Sequence, residues 1–128
     1  FNEAKLEVDE RYIERGKSFN REEGYTLAHR LYRKCPDVTA IFVYNDIMAA
    51  GVLDGLNDLG LRIPRDIAVV GYDNSVASYT RPKLTTIDLF KEKMVDEAMD
   101  ILFKRIAREE FEPRHEQILP KLVVGESS

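Results

Sequence analysis

The chain has 128 residues, the usual size of one domain, with 44% hydrophobic and 33% charged residues; that balance excludes intrinsic disorder. No apolar run approaches the roughly 18 residues that a membrane helix needs. With 19 Lys+Arg against 23 Asp+Glu and a net charge of -4, the chain lacks the surplus cations of a stand-alone nucleic-acid binder.

Periodicity sorts the chain into alternating helices and strands. Residues 1–8 read as the tail of a helix, and residues 11–15 (RYIER) as a short strand ending at Gly16. Ser18 and Asn20 are good helix N-caps, and Asn20 with Glu23 resembles a capping box. The helix that follows, about 21–34, carries Tyr25, Leu27, Ala28, Leu31 and Tyr32 at helical spacing. Residues 39–44 (TAIFVY) form an apolar, β-branched run suited to a strand buried on both faces of a parallel sheet. Asn45-Asp46 caps the next helix, about 47–59, and Gly60 stands where a left-handed C-cap residue belongs.

Residues 66–72 (DIAVVGY) form a second buried strand, residues 73–83 a loop, and residues 84–88 (LTTID) a short strand. A long helix spans about 91–108, with an apolar stripe from Met94 to Ile106. Pro113 closes the turn after it, residues 116–124 make a final strand with Pro120 at an edge or bulge, and the GESS tail should fray. The alternation predicts an α/β fold, a parallel sheet with helices on both faces in three layers. The chain opens in what reads as mid-helix, so the expectation is that its first β element lies upstream.

In open α/β sheets ligands sit outside the carboxyl ends of the strands. That rule selects Asn45-Asp46, Asp73-Asn74, Ser18-Phe19-Asn20 and Asp88. Amides and carboxylates pair with hydroxyl groups, and an aromatic ring stacks on a sugar face or a flat base. Each residue also has a plain structural reading. Asn45 and Asp46 serve equally as N-caps, Asp73 as a turn residue, and Phe19 as a hydrophobic staple. Lys91-Glu92-Lys93 reads as a solvated helix face, and Cys35, the single cysteine, as a small packing residue without a disulfide partner. His29 and His115 have no metal-pair spacing, and neither a nucleophile elbow nor a phosphate loop is present. The expectation is therefore no enzyme, no metal and no cofactor.

The stretch TAIFVYNDIMAAGVLDGLNDLGLRIPRDIAVVGYDN at 39–74, followed by RPKLTTID at 81–88, strongly resembles the LacI/GalR family of bacterial transcriptional repressors. RGKSFNREEGY at 15–25 and ILPKLVV at 118–124 fit the same pattern. The resemblance implies the C-terminal part of a two-lobed, periplasmic-binding-protein-like (type I) effector core. Residues 1–86 would be most of the second lobe, and residues 87–128 the crossover, long helix and final strand that return to the first lobe. It implies a small polar effector, a sugar or similar, bound between lobes. Asn45 and Asp73 match effector-contacting positions, Phe19 a stacking position and Asp88 a less certain contact, while Asp46 caps its helix and braces the site.

Tyr79, Arg81 and the helix at 47–59, with Leu53, lie where the family builds a dimer. Operator DNA would be contacted only by an N-terminal headpiece outside this sequence, and the parent protein would be cytoplasmic, with no membrane role. The chain departs from the pattern at Leu89-Phe90, where Gln-Pro is frequent, at Val95 in place of a glycine, and at Gly125 in place of an arginine. The competing reading is a periplasmic solute-binding protein for transport, which shares the lobe fold. Without its partner lobe, the stripe from Met94 to Ile106 should drive self-association of this chain.

Overall fold

Asn20 opens the first helix in the computed structural model, which describes residues 9–108 and 115–128. Its side-chain oxygen accepts a hydrogen bond from Glu23 N at 2.9 Å, satisfying one of the donors a helix start leaves free. The Glu23 carboxylate reaches past the cap to Lys17 N (3.3 Å). Helix α1 runs Arg21–Lys34 and helix α2 Asp46–Asp58, within one residue of the sequence reading. Asn45 caps α2 through Met48 N at 2.8 Å, and Gly60 follows with φ +76°, the left-handed conformation expected of it.

The two helices pack at backbone distance. A Cβ added at Gly24 would collide with the Met48 carbonyl, and one at Gly51 with the Arg21 carbonyl. Two glycines on facing helices thus let the chains approach where any side chain would hold them apart. Beneath them lies the core: Leu27, Ala28, Val52, Leu53 and Leu56 from the helices, with Val43, Ile67, Val69 and Leu84 from the strand segments.

Strand β1 (Ala40–Phe42) pairs in parallel with β2 (Ala68–Val70), in register Ile41 with Val69. A parallel bridge joins Val70 to Thr85, and β3 (Thr86–Asp88) pairs antiparallel with β4 (Lys121–Val123). The parallel α/β arrangement follows the sequence pattern, with each strand shorter than its apolar run. Helix α3 (Lys91–Ile106) stands apart from the core and buries none of its residues; Val95, Leu102, Phe103 and Ile106 are all exposed.

Four expectations change. Residues 11–15 are not a strand. Glu10–Tyr12 form a 3-10 turn capped by Asp9, and the segment is tied to α1 by side chains instead of a ladder. Glu14 pairs with Arg30 (2.6 Å) and Lys34 (3.0 Å), Arg30 also donates to Arg15 O, and Cys35 Sγ lies 3.3 Å from Arg11 O. Among the described residues no strand lies beside it to pair with. Residues 39–44 are covered on one face only: Val43 is buried, whereas Phe42 and Tyr44 are each 67% exposed.

The C-terminal tail does not fray. Ser127 is fully buried; its hydroxyl accepts from Thr85 N (2.9 Å) and donates to Val69 O (2.6 Å), while its own carbonyl accepts from Val69 N (2.8 Å). A terminus tied into sheet hydrogen bonds is held like a strand. The final strand is also shorter than 116–124, with Pro120 just before it. The helix expected over 1–8 and the turn at Pro113 lie outside the described residues.

Candidate functional site

The carboxyl ends of β1 and β2 open onto a depression of about 530 Å³ lined by Phe42, Tyr44, Asn45, Tyr72, Asp73, Leu89 and Lys91. Asn45 and Asp73 therefore converge as the strand-end rule requires. Their side chains are differently engaged. The Asn45 oxygen caps α2, and its amide nitrogen donates to Phe19 O at 3.4 Å. Asn45 is thus helix cap and cleft wall at once. Asp73 has φ 95° and Asn74 φ 49°, two successive residues in the left-handed region. This costly backbone aims the Asp73 carboxylate toward the cleft, where Lys91 Nζ lies 3.6 Å away.

Phe19 is not a staple. The position a staple would meet in α1 is Gly24, which has no side chain. The ring instead stacks on Tyr44 with centroids 4.9 Å apart and planes at 30°, and it is largely exposed. Phe19 and Tyr44 together form an aromatic edge beside Asn45. Phe42 and Tyr72 make a second, edge-on pair at 6.4 Å.

Asp88 sits in an adjoining depression of about 430 Å³ with Asn74, Ser75, Phe90 and Lys91, which Asp73 also lines. Its carboxylate accepts from Phe90 N (2.8 Å) and Asn74 Nδ2 (3.1 Å). It thereby holds Phe90, at φ 51°, at the entry to α3.

Behind the cleft lies Asp46, whose side chain turns inward. Oδ1 accepts from Thr86 Oγ1 at 2.6 Å and Oδ2 from Ser75 N at 3.0 Å. Burial pushes this carboxyl above its ordinary value, and the Thr86 hydrogen bond opposes that rise. Asp46 is the first residue of α2, while Asn45 supplies the cap.

Sequence reasoning missed Phe42, Tyr44, Tyr72, Leu89 and Lys91. The two tyrosines each precede a selected polar residue at a strand end, a signal that was available. Lys91 is exposed, as its reading as part of a solvated face has it, and its Nζ also comes within 3.6 Å of Asp73 Oδ1. Leu89 lines the cleft where the family pattern often has a polar residue.

Tyr79, Arg81 and Leu53 gather on another side, in a depression of about 470 Å³ shared with Arg21, Ile47, Asp54 and Thr80. Tyr79 is 83% exposed, whereas Leu53 is 2% exposed and forms the floor. Leu53 belongs to the core, and the surface here is made by Tyr79, Arg81 and their neighbours. Among the described residues no group of three His, Cys, Asp or Glu side chains is placed to hold a metal ion. No helix among them is long and apolar enough to cross a membrane.

The sequence pattern of the periplasmic binding protein-like domain matches residues 1–128. The chain belongs to that family. This periplasmic binding protein-like domain is 40% identical over 122 residues to the HTH-type transcriptional repressor PurR of Yersinia pestis (strain Pestoides F), covering 94% of the chain and 36% of the repressor. It is similar in structure to the transcriptional regulator CelR in its cellobiose complex, with TM-score 0.87 and 34% identity over 99% of this chain and 39% of that one. A LacI-family regulator from Sanguibacter keddieii matches with TM-score 0.86 and 31% identity over 98% of this chain and 47% of its own. The domain is thus a homologue of LacI-family transcriptional regulators, of the effector-core type that its motifs resemble. It spans 36% of the length of the curated repressors it matches.

Proposed function

We propose that this domain is the effector-sensing core portion of a DNA-binding transcriptional repressor. It binds a small polar ligand, a saccharide or similar, against the carboxyl ends of β1 and β2. The observation that carries this reading is the convergence of Asn45, Asp73 and Tyr44 around one depression, with the exposed Phe19 ring stacked on Tyr44. The carboxylate and amide pair with hydroxyl groups, and the rings offer an apolar face for stacking. Asp88 contributes at the margin, beside Asn74.

In this reading residues 1–86 form most of one lobe, and residues 87–128 cross to a second lobe that closes over the ligand. Tyr79 and Arg81, over Leu53, form a homodimer surface. Operator DNA is held by a headpiece elsewhere in the protein, and the protein works in the cytoplasm. The ligand binds one lobe geometry better than the other and so shifts DNA affinity reciprocally. The relatives reported above are regulators, which favours this reading over a solute-binding protein for transport and over an enzyme.

The test uses the full-length protein. DNA fragments that it selects from genomic DNA are titrated with and without cellobiose, lactose, sucrose and free purine bases. The expected result is that at least one of these binds by calorimetry and shifts DNA affinity by a factor within the usual allosteric range of roughly 5–150. Absence of DNA selection, or a ligand that binds without moving DNA affinity, contradicts the proposal.

A further inference from the structure

The most buried charged side chain of the described residues stands behind the cleft. Asp46 is fully buried and lies at the start of α2, with its backbone N–H on Tyr72 O (3.0 Å). Its two carboxylate oxygens point to different pieces of chain. One takes the hydroxyl of Thr86 on β3, the other the amide of Ser75 just past the left-handed pair Asp73-Asn74. The N–H of Asn74 faces the same Thr86 hydroxyl at 3.4 Å, and Asp73 N donates to Ile87 O at 2.9 Å. The left-handed turn therefore hangs between Asp46 and β3.

Two non-glycine residues do not hold positive φ in succession unless the surroundings fix them. Asp73 Oδ1 shares the Ser75 N–H at 3.0 Å, and the Asp46 carboxylate ties that N–H to β3 by accepting it and the Thr86 hydroxyl at once. An amide side chain of the same size keeps one oxygen for the Ser75 N–H but turns only an N–H donor toward Thr86, so the hydroxyl loses its charged acceptor. Gly71 belongs to the same device: a Cβ there would collide with Asp46 Oδ1 and crowd Leu84. The empty space at Gly71 is what admits the carboxylate to its seat.

We infer that Asp46 is a positioning residue of the ligand cleft: through Ser75 N and Thr86 Oγ1 it holds the Asp73-Asn74 turn in the conformation that presents Asp73 to the ligand. The inference rests on the reading of Asp73 as a ligand contact and adds the group that sets its aim. Asp46 itself never touches the ligand.

Hydrogen exchange on the full-length protein tests it, followed by mass spectrometry of the peptide over residues 72–77 and of peptides from α2 and from β1. In Asp46→Asn the 72–77 peptide is expected to exchange about tenfold faster or more, the change that loss of one charge-assisted hydrogen bond brings. The α2 and β1 peptides should rise clearly less, by no more than the variant's loss of global stability. Thr86→Val should reproduce the effect, and Thr86→Ser, which keeps the hydroxyl, should restore wild-type exchange. If Asp46→Asn does not fold, the two Thr86 variants carry the comparison.

Unchanged exchange at 72–77 overturns the inference. So does a rise shared equally by α2 and β1, which would mark a purely structural role. In a second arm cellobiose, lactose and sucrose are titrated: the variants that loosen 72–77 should lose at least tenfold in affinity, and Thr86→Ser should not. If none of the three binds the wild type, the saccharide reading fails while the exchange arm still decides whether Asp46 holds the turn.

Discussion

The Thr86 hydroxyl donates a 2.6 Å hydrogen bond to Asp46 Oδ1, and both side chains are fully buried. A carboxylate removed from water is costly unless each oxygen finds a donor. Thr86 comes from β3, forty positions later in the chain, and the bond therefore joins the α2 start to the strand that leads out to α3. Thr86→Val removes the donor at nearly constant volume and leaves a buried acceptor unsatisfied. The expected cost is about 1–3 kcal/mol of stability, read as a lower urea midpoint at unchanged slope.

The facing glycines of α1 and α2 give a second expectation. Alanine at Gly51 gains up to about 1 kcal/mol of helix propensity. Its Cβ, however, meets the backbone carbonyl of Arg21, which cannot rotate away. Overpacking of this kind costs about 1–3 kcal/mol, and the obstacle here is main chain, so the loss prevails. Gly51→Ala should lower the thermal midpoint, as should Gly24→Ala against the Met48 carbonyl.

Two aspartates are shifted in opposite directions from the ordinary carboxyl value. Asp66 receives the Arg62 guanidinium and the Arg62 backbone N–H, which lower its pKa to about 2 from the ordinary 3.8. Its contribution to stability is fully present above the ordinary value and is lost as pH falls toward about 2. Asp46 is shifted upward, mainly by burial. The folded protein then binds more protons than the unfolded chain just above the ordinary carboxyl range, and Asp46's contribution declines as pH rises through its raised value. Carboxyl-carbon NMR titration should find Asp66 still ionised where an ordinary aspartate is half protonated, and Asp46 protonating first. Arg62→Ala should return Asp66 to the ordinary value.

Much of this architecture was legible in the residues because the signals were local. Asn20 and Asn45 mark the two helix starts by their side-chain chemistry, and Gly60 marks an end by its backbone freedom. The strand-end rule selects Asn45 and Asp73, and both line one depression. What escaped were contacts between distant segments. The seating of Ser127 between Val69 and Thr85 depends on partners roughly forty and sixty positions away, and the GESS tail carries no apolar pattern to announce it. Residues 11–15 have strand-like composition, but a strand needs a neighbour. With none beside it among the described residues, Glu14 and Arg15 bond to α1 instead. Lys91 lies on the solvated face expected of it, and its approach to Asp73 escaped for a similar reason, since the left-handed residue Phe90 turns the start of α3 back toward that carboxylate.

The central claim is that Asp73 is a ligand contact in a DNA-linked sensor. Asp73→Ala in the full-length protein tests it most directly, with DNA affinity measured across a titration of whichever ligand the wild type binds. The account predicts that DNA affinity without ligand stays within about twofold of wild type while the ligand response falls by at least an order of magnitude, the scale of losing a charged hydrogen bond. A full ligand response in Asp73→Ala would contradict it.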